Sequence, residues 1–160
     1  MDFLTAIKTC FSKYATFKAR DRRSEFWFWY LFTVIVNLIF SWIPFASLLT
    51  LALMLPSLAV TIRRLHDIGR SGWWTLLSFV PSLIAISLLI ALLGSTFVSI
   101  ALGGNYDPNE IVNSMNSNIG LLAMYLLSII ITLICSIIFL IMLCQDSKTD
   151  ENKYGPNPKA

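Results

Sequence analysis

The sequence predicts an all-α membrane protein, a four-helix transmembrane bundle preceded by an N-terminal interfacial amphipathic helix. Three observations carry this reading. The 160 residues are 56% hydrophobic and only 13% charged, with a mean hydropathy of +0.71, more apolar surface than a soluble domain of this size can bury. Uncharged stretches of membrane length run from Phe26 to Ile62, Ser71 to Tyr106 and Ile111 to Gln145. Every Lys and Arg lies before the first stretch, between Arg63 and Arg70, or from Lys148 onward.

Taken in chain order, the first element is helical over residues 1–18. Phe3, Leu4, Ile7, Cys10, Phe11, Tyr14 and Phe17 recur on one face, with Thr5, Thr9, Ser12 and Thr16 opposite. Lys13 and Lys18 flank the apolar face, which fits a helix lying in a headgroup layer with its ammonium groups reaching phosphate. Packing against protein is the alternative. Lys8, Lys13 and Lys18 interrupt this segment, so a cleavable signal peptide is not expected.

Residues 19–145 form the transmembrane domain. A crossing of ~30 Å at ~1.5 Å per residue needs about 20 residues. The first stretch is too long for one crossing and is expected to fold back near Pro44. The spans are therefore about Phe26 to Ile43, Phe45 to Ile62, Trp73 to Leu93 and Ile119 to Leu143. Phe26, Trp27 and Trp29 follow Arg22 and Arg23, and Trp73 and Trp74 follow Arg70, as aromatic anchors at a membrane boundary do. Ser24 and Ser71 are candidate N-caps. Pro56 and Pro81 are candidate kinks.

Between the last two spans, Asp107, Pro108, Asn109 and Glu110 read as a helix start before the fourth span. Ser87, Ala91, Ser95 and Ser99 on the third span, and Ser128, Thr132 and Ser136 on the fourth, permit close helix approach. A polar conduit is the other reading of these stripes. Residues 146–160 form a cytosolic tail in which Tyr154, Gly155 and Pro156 either dock under the arginines or end a solvated segment. With four crossings, the three basic segments share one side and the Lys/Arg-free connections the other. Both ends of the chain are then cytoplasmic.

The densest polar chemistry is Arg63, Arg64, Leu65, His66, Asp67, Ile68, Gly69, Arg70, Ser71, Gly72. If the second span stays helical through Asp67, Arg63 and Arg64 lie four and three residues before it, within reach of an ion pair, and Gly69 can end the helix. The same guanidinium groups could instead hold a phosphate-bearing ligand. The candidate set for an anionic group is Arg63, Arg64, His66, Asp67 and Arg70, with Arg22 and Arg23 beside them and Arg20 bordering the same surface. The implied partners are anionic membrane lipids, a cytosolic protein or a second copy, and not nucleic acid.

Other classes find less support. Cys10, Cys135, Cys144 and the single His66 have no metal-ligand spacing, so neither metal nor cofactor is expected. His66 and Asp67 are adjacent and point about 100° apart on a helix, with no nucleophile fixed beside them, so no catalytic residue is assigned. Coupled transport usually places ionisable groups at membrane depth, and the spans contain none. A passive pore or transporter subunit is the alternative function, and a membrane-embedded enzyme of lipid headgroups ranks behind it.

Three blocks resemble a bacterial inner-membrane family, domain of unknown function 805, the YhaH-like membrane proteins. They are residues 17–32, FKARDRRSEFWFWYLF; residues 56–74, PSLAVTIRRLHDIGRSGWW, with Pro81 following; and residues 152–158, NKYGPNP. Ala19 departs from a position where the family often has glycine. The resemblance implies a bacterial plasma-membrane location and several spans, with no activity to carry over.

Overall fold

The computed structural model describes residues 1–43, 46–102 and 108–158, and within them all side chains except those of residues 46, 47, 95, 99, 100, 110 and 114. The regular structure among the described residues is all helical, with one isolated bridge between Asn152 and Gly155 and no strand. The helices are α1 (Phe3–Ser12), α2 (Arg23–Phe40), α3 (Ala46–Asp67), α4 (Leu76–Ala101), α5 (Pro108–Ser117) and α6 (Ile119–Cys144), with a 3₁₀ turn at Gly72–Thr75 before α4. The expected turn at Pro44 and the cap at Asp107 fall outside the described residues.

Among the described residues, three helical segments are long and apolar enough to cross a membrane: Leu48–Asp67, Gly72–Gly94 and Ile119–Cys144. The 18-residue α2, expected as a fourth crossing, is not among them. Its first turn carries Arg23 and Glu25, and Asn37 lies further along.

The chain divides into two compact units, residues 1–75 with 140–160, and residues 76–139. In the first unit, α1 packs its Ala6 and Cys10 face, both fully buried, against α2 and α3. Phe3 meets Phe28 edge-on at 5.8 Å and Phe11 meets Trp29 at 5.2 Å. Burial pushes the Cys10 thiol up to about 12, so it is unreactive at neutral pH. Leu4 and Phe11 keep exposed apolar surface. Where lipid phosphate was the expected partner of Lys13, the structure gives it Asp21 and Glu25.

Helix α3 runs unbroken through the fully buried Pro56 and ends in a Schellman motif. Gly69 takes the left-handed conformation (φ +77°), its N–H donates to the His66 carbonyl at 3.0 Å, and the Arg70 N–H donates to Leu65 at 2.8 Å. Ser71 caps the following turn through the Trp73 N–H, at 3.4 Å. Ser24 does not cap α2, because Arg22 holds the extended N-cap position and Ser24 lies inside the first turn.

In the second unit, large apolar side chains such as Leu83, Ile90, Ile130 and Leu133 are exposed, as lipid-facing residues are. Ser82, Ser87, Ser128 and Thr132 donate to carbonyls of their own helices, at 2.7–2.8 Å. These hydroxyls are thus satisfied locally, as a hydrocarbon environment requires. Ser95 and Ser99 fall outside the described side chains.

Candidate functional site

The candidate site is built where α3 ends, within the first unit. Asp67 is fully buried and its two oxygens take different arginines. Oδ1 accepts from Arg20 Nε at 3.1 Å, and Oδ2 accepts from Arg64 Nη1 one turn earlier on the same helix. Arg63, expected beside Asp67, turns instead to the fully buried Asp21, with Nε 2.5 Å from Oδ2. Lys13 Nζ completes the second group, 3.4 Å from Asp21 and 3.5 Å from Glu25.

Four cations (Lys13, Arg20, Arg63, Arg64) thus meet three carboxylates (Asp21, Glu25, Asp67), and backbone carbonyls supply the remaining acceptors. Each arginine closes the end of a different segment. Arg63 Nη1 donates to the Lys13 and Thr16 carbonyls beyond α1, at 3.1 and 2.7 Å. Arg64 donates to Leu143, at 3.1 Å, and to Gln145, at the end of α6. Arg20 donates to Lys148, Asp150 and Gly155, at 2.6, 2.9 and 3.1 Å. Carbonyls left open at a helix C-terminus carry partial negative charge, so a guanidinium there satisfies both hydrogen bonding and the helix dipole.

The tail docks on the same end of α3. The Tyr154 ring stacks on His66 with centroids 3.6 Å apart and planes within 6°. Asn152 Nδ2 donates to the His66 carbonyl, and Asn152 Oδ1 accepts from the Tyr154 N–H, each at 2.9 Å. Arg22 Nε donates to the Pro158 carbonyl. Of the two readings of Tyr154, Gly155 and Pro156, the structure therefore gives the docked one.

Burial separates the sequence-derived residues into two sets. Arg63, Arg64 and Asp67 are fully buried and His66 is 8% exposed. The two arginines have their donors committed inside the protein, Arg63 Nη2 excepted, so they do not present a fork to an outside phosphate. Arg22, Arg23 and Arg70 remain at the surface. An open depression at the start of α2 is lined by Arg22, Arg23, Ser24 and Trp27. Arg23 Nη1 lies 3.6 Å from Asp146 in an exposed pair, and the Arg70 guanidinium sits 4.9 Å from the Trp74 ring. Trp73 is 77% exposed. Among the anchors, Phe26 and Trp29 are buried, the latter donating Nε1 to Ser57 at 3.0 Å.

Sequence reasoning set Arg20 only at the border of the site, with Arg22 and Arg23, and missed its central place and that of Asp21. Their neighbours Arg22 and Arg23 had the same composition signal, and only the fold distinguishes which pair turns inward. Burial, and then the neighbouring Asp21, raise the Glu25 carboxyl to about 6, just ahead of the apolar stretch that begins at Phe26. Among the described residues, no group of three or more His, Cys, Asp or Glu is placed to hold a metal.

The comparisons with known proteins agree on kinship. The chain is 44% identical over 86 residues to the Inner membrane protein YhaI of Escherichia coli strain K12, covering 48% of this chain and 73% of that protein. It is 32% identical over 85 residues to the Inner membrane protein YhaH of the same strain, covering 42% and 67%. The Uncharacterized protein YiiR shares 38% over 73 residues, covering 41% and 50%. No solved structure matches the chain. The family model described as "Protein of unknown function (DUF805)" matches residues 14–110, a span that contains Arg20, Asp21, Arg63, Arg64 and Asp67. The chain is a membrane protein belonging to the DUF805 family.

Proposed function

We propose that this protein is a four-span inner-membrane protein, both ends cytoplasmic, whose exposed basic rim binds anionic lipid headgroups. In this reading α2 is the first crossing, entered at the aromatic cluster after Arg23, and α1 lies at the interface with Leu4 and Phe11 toward lipid. The arrangement of Lys and Arg on alternate connections supports that topology.

The observation that carries the binding reading is the depression lined by Arg22, Arg23, Ser24 and Trp27. Two guanidinium groups, a hydroxyl and an amphipathic ring are the chemistry that holds a phosphate diester at the headgroup level. Arg70 with Trp73 and Trp74 offers a second cation with aromatic neighbours on the loop after α3. Basic residues close to an anionic leaflet gain ~1 kcal/mol each. Arg63 and Arg64 serve a different purpose: they tie α3 to the ends of α1 and α6 beneath that rim.

The test is tryptophan quenching in vesicles containing brominated lipid. The signal contributed by Trp27, taken as wild type minus Trp27→Phe, should be quenched more by brominated phosphatidylglycerol than by brominated phosphatidylcholine. Equal quenching would overturn the headgroup assignment.

A further inference from the structure

We infer that the segment 148–158 is an intramolecular lid, whose backbone oxygens occupy arginine donors that an anionic headgroup would otherwise take. The inference rests on the headgroup reading and adds its regulation. Arg20 Nη1 and Nη2 hold the carbonyls of Lys148, Asp150 and Gly155, and Arg22 Nε holds that of Pro158. Four oxygens are thus gathered around two guanidinium groups, and these donors suit phosphate oxygens equally well. Arg22 belongs at once to the lid contacts and to the open depression, so lid and headgroup share a donor.

The attachment of the lid is polar and local. The Tyr154–His66 stack and the two hydrogen bonds of Asn152 hold its middle, and Gly155, at φ +129°, turns it back so that Asn152 and Gly155 pair. Asp150 and Glu151 are exposed. Few apolar groups of the segment are buried, which is the character of elements that open locally. Beneath it, the nearly buried His66 has no hydrogen-bond partner for Nδ1. If the lid is open for about a tenth of the time, it weakens headgroup binding about tenfold, and loosening it restores that factor.

The experiment uses the full chain in a mild detergent, with its cysteines replaced and a spin label at Glu151→Cys. Dioctanoyl phosphatidylglycerol should mobilise the label in the wild-type background, while dioctanoyl phosphatidylcholine and inorganic phosphate should not. Tyr154→Ala and, as a second variant, Asn152→Ala should mobilise it without lipid and bind the phosphatidylglycerol up to about tenfold more tightly. A label that stays ordered at saturating phosphatidylglycerol overturns the lid, as does a mobile label with unchanged affinity. Mobilisation by inorganic phosphate alone contradicts a headgroup as the competitor. Loss of any preference for phosphatidylglycerol over phosphatidylcholine, in every variant, removes the headgroup reading and the lid together.

Discussion

Arg20 and Asp67, 47 residues apart in the chain, meet at 3.1 Å with side chains 1% and 0% exposed. The pair joins the segment before α2 to the end of α3, and Asp67 carries Arg64 as well. Removing the carboxylate therefore leaves two buried guanidinium groups short of their counter-charge. Breaking one side of a buried pair typically costs ~3–5 kcal/mol. Asp67→Asn should lower the melting temperature in detergent sharply, whereas Asp146→Asn, at the exposed Arg23 pair, should cost under ~1 kcal/mol. Similar effects of the two substitutions would show that the buried network does not hold this end of the fold.

Glu25 sets a pH dependence of unusual sign for a carboxylate. Its folded pKa, about 6, lies above the ordinary 4.5, so the folded protein binds this proton more tightly than the unfolded chain does. The contribution to stability is complete below about 4.5 and is lost as pH rises through about 6. At most it amounts to ~2 kcal/mol, the gap between 4.5 and about 6 taken at 1.36 kcal/mol per pH unit. Glu25→Gln should thus be more stable than wild type above pH ~7, with the difference closing as pH falls toward 4.5. The pair of melting curves across that range checks it, and a gap that widens on acidification would refute it.

The four-span topology makes a labelling prediction. In a cysteine-free background, single cysteines at Asn109 or Asn113, both exposed, should react in intact cells with an impermeant thiol reagent. Cysteines at Ser12 or Thr149, also exposed in the fold, should react only after the membrane is opened. Reaction at Ser12 from outside would place the basic segments on the wrong side.

How much could be read from the sequence depended on the range of the interaction. Helix content, the aromatic helix starts, the continuation of α3 to Asp67, the stop at Gly69 and the Arg64–Asp67 pair all follow from spacing within a few residues. The partner of Arg63 did not: Asp21 is 42 residues away, and i,i+4 geometry favoured Asp67. Lys13 was assigned to lipid phosphate because its helix face is amphipathic, but two buried carboxylates nearby offer it a fixed counter-charge. The arginine run looked like a binding loop from its composition. Only tertiary structure divides it, turning Arg63 and Arg64 inward to helix ends and leaving Arg70, like Arg22 and Arg23, outside.

That division is the central claim, and lipid retention measured beside thermal stability tests it most directly. Arg64→Lys keeps the charge but loses the planar fork that reaches Asp67, Leu143 and Gln145, so it should lower stability while leaving phosphatidylglycerol selectivity intact. The double variant Arg22→Gln/Arg23→Gln should do the reverse, losing that selectivity across a salt series with a melting temperature close to wild type. Selectivity lost in Arg64→Lys and retained in the double variant would contradict the assignment of Arg63 and Arg64 to structure and of Arg22 and Arg23 to lipid.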